Sequence, residues 1–97
     1  MTIGILGGGV WGSALARVLS NNKVFIYARD EKIVKSINEH KINPKLKYSS
    51  FNENVTATTS LKEIRNVKFL FITLPAQNIR EVIKDSSLHN KNHHIII

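Results

Sequence analysis

Cysteine is absent from this 97-residue chain. Disulfides and thiolate metal sites are therefore excluded, and a reducing compartment, the cytoplasm, is the expected setting. No apolar run approaches the roughly 20 residues that a bilayer-spanning helix needs, so no membrane span is expected. Met1-Thr2-Ile3-Gly4 also lacks the basic opening of a secretory leader. Acidic residues are scarce, 7 against 14 Lys and Arg, which leaves a formal charge of +7. Such a surplus points to an anionic partner, either a phosphate-bearing small molecule or a nucleic acid, or to the uncompensated surface of an incomplete protein. Nucleic acid is not the expected partner. The aromatic residues (four Phe, two Tyr and one Trp) do not interleave with a basic stripe, and no RNP-like or helix-turn-helix pattern is present. His93-His94 lacks metal-ligand spacing, and no metal site is expected.

Glycine and proline are also few, and their placement organises the chain. Ile3 to Leu6 is a short apolar run that ends at glycine, the form of a buried parallel strand. Trp11, Ala14, Leu15, Val18 and Leu19 follow at helical spacing, and Ser20-Asn21-Asn22 stops that helix. Val24 to Ala28 reads as a second strand. Asp30 suits the N-cap of a second helix, with Ile33, Val34 and Ile37 on its buried face. Periodicity is lost from Lys41 to Asn54, which includes Pro44 and reads as a long loop. Val55 to Thr58 is a short third strand. Ser60 and Glu63 have the spacing of a capping box for a brief helix. Val67 to Leu74 is a fourth strand, Pro75 suits the turn after it, and Ile79, Val82 and Ile83 lie at helical spacing. Ile95 to Ile97 opens a fifth strand. This alternation predicts an α/β fold, a Rossmann-like parallel sheet of about five strands with flanking helices, forming one domain over 1–97. An isoleucine triplet at the last residues suggests the front part of a longer protein or a gene remnant, interrupted in strand five.

Four of the five glycines fall between Ile5 and Gly12. Gly7-x-Gly9-x-x-Gly12 matches the dinucleotide fingerprint, and it lies between a strand and a helix as that motif requires. The first glycine permits a tight turn, the second lets the backbone approach a pyrophosphate, and the third lets the helix pack close to the sheet. The helix N-terminus then offers unpaired amides and a positive dipole end to phosphates. A glycine-rich turn kept for packing alone is the competing account. Val10 and Trp11 fill the x-x positions, Trp11 being either a core anchor or a cover for the cofactor. The tip of the second strand, Tyr27-Ala28-Arg29-Asp30, bears on cofactor type. Arg29 suits a ribose 2′-phosphate or an adenine face, which favours NADP or dual use of NADP and NAD. The alternative for Arg29 is a solvated charge beside Asp30.

With these residues in place, the chain resembles the N-terminal part of the bacterial NAD(P)-dependent glycerol-3-phosphate dehydrogenases over essentially its whole length. The resemblance rests on GGGVWGSALA (Gly7 to Ala16), YARD (Tyr27 to Asp30), NVTAT (Asn54 to Thr58) and LPAQ (Leu74 to Gln77). It implies interconversion of dihydroxyacetone phosphate and sn-glycerol 3-phosphate in phospholipid precursor synthesis. It also implies that Gly7, Gly9, Val10, Trp11 and Gly12 hold the cofactor's phosphates, that Arg29 holds its adenosine end, and that Pro75 and Gln77 lie near the nicotinamide. Gln77 is otherwise an ordinary first-turn helix residue. In the family the loop before strand three runs Asn-x-x-Tyr-Leu-Pro-Gly. Here Asn43 to Phe51 lacks the Pro-Gly and reads one residue shorter, so the family's Tyr role is not carried over to Tyr48. The family's two active-site lysines lie beyond strand five and in a helical C-terminal substrate domain, both outside these 97 residues. No catalytic residue is therefore assigned. The phosphorylated triose is expected as a partner of a full-length protein only, and the chain alone is expected to bind the dinucleotide without turnover. The alternatives are a catalytically silent NAD(P)-binding remnant and a fragment of a phosphogluconate- or ketopantoate-type reductase.

Overall fold

The computed structural model describes residues 1–45, 50–74 and 94–96. Five strands form one parallel sheet: β1 (Thr2–Leu6), β2 (Lys23–Tyr27), β3 (Val55–Thr58), β4 (Phe69–Ile72) and β5 (His94–Ile96). Their order across the sheet is β3-β2-β1-β4-β5, and every neighbouring pair runs parallel. The helices among the described residues are α1 (Val10–Val18), α2 (Glu31–His40) and α3 (Leu61–Ile64). The chain steps outward from β1 to β2 to β3, then returns to place β4 on the other side of β1. Strand order therefore reverses between β1 and β4, and open α/β sheets bind ligands outside the carboxyl ends of the strands at such a reversal.

Register brings those ends level. Leu6 pairs with Tyr27 on one side and with Ile72 on the other, and Tyr27 pairs with Thr58. Alternation along the strands sends side chains to two separate cores. Ile3, Ile5, Val24, Ile26, Val55 and Ala57 pack with Ile33 and Ile37 of α2 and with Phe51. Leu6, Leu70 and Ile72 pack with Ile64 and Val67. Both faces of the central strands are covered, as a parallel sheet requires.

β3 stands at one edge of the sheet. An edge strand carries unpaired backbone groups that invite pairing with other chains, and α2 covers this one with side chains. Asn38 Nδ2 donates to the Ala57 carbonyl at 2.9 Å, and Asn38 Oδ1 accepts from the Ala57 amide at 2.7 Å. Lys41 Nζ donates to the Val55 carbonyl at 2.7 Å. Asn38 thus imitates a neighbouring strand. Asn38→Ala is expected to lower stability by about 1–2 kcal/mol, read from urea unfolding, and to increase self-association. A variant as stable and as monodisperse as the parent would show that the edge needs no cap.

Several expectations need correction. Ser60 and Glu63 do not form a capping box. The Glu63 amide, which the Ser60 hydroxyl would have bonded, instead donates to the Ser60 carbonyl at 3.3 Å, and Ser60 makes no side-chain cap. A helix of one turn is closed by its own backbone. The core-anchor account of Trp11 also fails, because its side chain is 82% exposed and Val18 is 77% exposed. The buried residues of α1 are Gly12, Ser13 and Ala16. The helix docks most closely through its smallest residues, with Leu15 packed partly buried against the core, while Trp11 and Val18 turn outward. The segment from Lys41 to Asn54, read as an irregular loop, is anchored at its described ends. Lys41 takes a left-handed conformation (φ 57°) and closes α2, its carbonyl accepts from the Phe51 amide, and Ile42 bridges Ser50. Asp30 behaves as expected: its carboxylate accepts from the Lys32 amide at 2.9 Å and caps α2. Among the described residues no helix is long and apolar enough to cross a membrane, and no group of side chains could hold a metal ion.

Candidate functional site

The segment between β1 and α1 sits where the strand order reverses. At the end of β1 the chain is braced from both neighbours. The Gly7 amide donates to the Tyr27 carbonyl at 3.0 Å, and the Leu6 carbonyl accepts from both the amide and the hydroxyl of Thr73, each at 3.0 Å. Gly7 has φ 137°, and a Cβ there would collide with Thr73 Oγ1. The turn is therefore closed to any side chain, as the fingerprint's first position requires. Gly12 is excluded from variation by contact instead. A Cβ on it would run into the Gly7 carbonyl oxygen and stand 3.0 Å from Thr73 Oγ1.

Gly9 differs from both. It is the N-cap of α1, with φ −86° and ψ −170°, a conformation open to any residue. Among the described residues no atom lies within 4 Å of a Cβ built on it. Neither backbone geometry nor packing against described residues asks for glycine there. The space beside Gly9 is where a ligand would need the backbone bare.

Among the described residues no side chain caps the start of α1, and no acidic residue lies in its first turn. Its first intrahelical bond among the flanking groups runs from the Ser13 amide to the Gly9 carbonyl at 3.0 Å. Among the described residues, the preceding amides of Val10, Trp11 and Gly12 have no partner, as is common at helix starts, and the positive dipole end reinforces them. Val10 and Trp11 are both exposed beside this turn.

At the tip of β2, the Ala28 amide continues the sheet by donating to the Thr58 carbonyl at 3.1 Å. Arg29 follows. Asp30 is committed to the α2 cap, whereas Arg29 beside it is exposed at the strand tip. The structure thus groups Gly7, Gly9, Val10, Trp11 and Gly12 in one turn and places Arg29 at the end of the adjacent strand. Pro75, Gln77 and Tyr48 lie outside the described residues, as does the helical face expected at Ile79, Val82 and Ile83.

One participant had no signal in the sequence beyond a turn-forming Asn-Pro pair. Asn43 is completely buried. Its Nδ2 donates to the Gly8 carbonyl at 2.8 Å and to Ser13 Oγ at 2.6 Å, and its Oδ1 accepts from the Lys45 amide at 3.0 Å. Thr73, at the end of β4, is a second such residue. Nothing in the local pattern around either one names a partner so distant in the chain.

The family model for the NAD-dependent glycerol-3-phosphate dehydrogenase N-terminus matches residues 2–97. Among curated relatives, the glycerol-3-phosphate dehydrogenase [NAD(P)+] of Neorickettsia sennetsu is 35% identical over 83 residues, covering 82% of this chain and 25% of its own length. That of Bacillus licheniformis is 42% identical over 88 residues, covering 84% of this chain and 25% of its own length. Among solved structures, glycerol-3-phosphate dehydrogenase from Coxiella burnetii superposes with a TM-score of 0.86 at 29% identity, over 97% of this chain and 30% of that one. The chain spans about a quarter of the length of the curated relatives it matches.

Proposed function

The chain belongs to the NAD-dependent glycerol-3-phosphate dehydrogenase family, as its N-terminal part, and on that premise we propose that it binds NADP or NAD through the β1–α1 turn. The observation that carries this reading is Gly9, a glycine that the described fold does not need, at the capless start of a helix where strand order reverses. Its bare backbone and the first-turn amides of α1 receive the pyrophosphate. Arg29 meets the adenosine end, where its planar guanidinium suits a 2′-phosphate. Val10 and Trp11 flank the phosphates, and Pro75 and Gln77 belong to the nicotinamide side. When bound, the dinucleotide supplies the hydride. In the full-length setting, the reaction we propose is the reversible reduction of dihydroxyacetone phosphate to sn-glycerol 3-phosphate. The absence of cysteine supports a cytoplasmic setting.

Titration of the chain with NADPH and with NADH, followed by nucleotide fluorescence, tests the reading. Saturable binding of one or both is expected. Arg29→Ala is expected to weaken NADPH by about tenfold or more and NADH far less, since a hydrogen bond to a charged phosphate contributes about 1.5–3 kcal/mol. Equal weakening of the two would remove Arg29 from the 2′-phosphate. No saturable binding of either would sink the cofactor assignment.

A further inference from the structure

Gly7, Gly8 and Gly9 in succession form the stretch with the least conformational bias of its own. A peptide flanked by two glycines flips readily unless something outside holds it. Gly7 is held by its bond to Tyr27 and by its fit against Thr73. For the peptide joining Gly8 to Gly9, the hydrogen bond found among the described residues comes from Asn43, on the segment between α2 and β3.

Holding that carbonyl has a consequence on the other side of the peptide. The bond is trans, since no cis peptide occurs among the described residues, so the Gly8 carbonyl and the Gly9 amide point in opposite directions. Anchoring the carbonyl toward Asn43 aims the Gly9 N–H away from Asn43. The same carboxamide nitrogen donates to Ser13 Oγ at 2.6 Å, and the Ser13 amide in turn donates to the Gly9 carbonyl. One side chain therefore ties the peptide before the helix to the first turn of the helix itself. Both donors of the carboxamide are used, and its oxygen is occupied by the Lys45 amide. A fully satisfied, fully buried carboxamide has one orientation, and so does what it holds.

We propose that Asn43 is a positioning residue for the pyrophosphate. It locks the Gly8–Gly9 peptide so that the Gly9 amide joins the first-turn amides of α1 in facing an anion. The proposal rests on the dinucleotide reading above and adds that Asn43, distant in the chain from the turn, sets the shape of the phosphate cradle.

The test uses the whole chain, isotopically labelled, with two probes: ADP, which carries a pyrophosphate, and adenosine 2′-monophosphate, which does not. Asn43→Asp keeps the shape but cannot donate to the Gly8 carbonyl. ADP affinity is expected to fall about tenfold or more, and adenosine 2′-monophosphate affinity to stay within about twofold. A residue that merely supports the fold would weaken both alike, and that result, or unchanged ADP affinity in the variant, overturns the proposal. Should Asn43→Asp fail to fold, the parent chain decides by NMR. The Asn43 side-chain amide protons should be slow to exchange with and without ADP, and the Gly9 amide should shift on ADP addition. Fast-exchanging Asn43 amide protons or an unmoved Gly9 resonance overturns the proposal. If the parent chain binds neither ADP nor NADPH, the dinucleotide reading fails and takes this one with it. Intact parent binding with an indifferent Asn43→Asp sinks the positioning role alone.

Discussion

Gly12→Ala is expected to destabilise the chain by about 3 kcal/mol or more. Helix propensity argues the other way, since alanine is preferred to glycine in a helix by about 1 kcal/mol. The contact decides the sign. The new methyl group would be driven into the Gly7 carbonyl oxygen and crowd Thr73 Oγ1. A flexible side chain could swing aside, but the Gly7 carbonyl belongs to a backbone pinned on both flanks. The Gly7 amide is bonded to the Tyr27 carbonyl, and the preceding Leu6 carbonyl holds both donors of Thr73. Relief requires α1 to move off the sheet, which would open the packing around Ser13 and Ala16, both fully buried. Overpacking alone costs about 1–3 kcal/mol, and displacing the helix adds to it. A domain of this size has only about 5–15 kcal/mol of stability. Thermal unfolding followed by circular dichroism should show a Tm lowered by about 12 °C or more. A Tm within a few degrees of the parent would show that α1 is not seated on Gly12.

Gly9→Val is expected to do the opposite: to leave the fold intact while removing the dinucleotide. The backbone at Gly9 is extended, and its Cβ would project into space free of described atoms. Replacing a glycine where the backbone allows it reduces the freedom of the unfolded chain, while alanine is a poorer N-cap than glycine, so the two offset and Gly9→Ala is expected to stay within about 1 kcal/mol of the parent. NADPH should lose about tenfold or more with alanine and more with valine, because the side chain fills the approach to the first-turn amides. Tm and NADPH affinity measured on the same samples separate folding from binding. If Gly9→Val binds NADPH as the parent does, the glycine turn serves packing and the cofactor passes elsewhere. If Gly9→Ala loses stability as Gly12→Ala does, the turn differs from the one described.

The contrast between these two glycines also shows how far the sequence could be read. The fingerprint spacing marks Gly7, Gly9 and Gly12 alike. Only the folded chain separates two that the fold itself requires from one that it does not, because the separation depends on which atoms surround each Cβ. Arg29 and Asp30 were legible as a pair at a strand tip. The cap geometry then assigned Asp30 to α2 and left Arg29 exposed.

What the sequence determined by itself was local. The alternation of apolar runs and helical spacing marked the strands β1 to β5 and the helices α1 to α3, with strand limits shifted by a residue or two at the ends of β1, β2, β4 and β5. The helix connections required parallel pairing, the Asp30 cap was correct, and the glycines marked the β1–α1 turn. Each depends on residues within a few positions of one another, so periodicity and turn chemistry suffice. Tertiary structure decided the rest. Trp11 and Val18 face outward, although apolar spacing counts them with a packing stripe, because a helix docks on the face that permits closest approach, and on α1 that face is Gly12, Ser13 and Ala16. Asn38 and Lys41 close the β3 edge, and Asn43 grips Gly8 and Ser13 across the fold. A polar side chain's hydrogen-bond partner is set by where folding brings a distant backbone group, and no spacing along the chain records that.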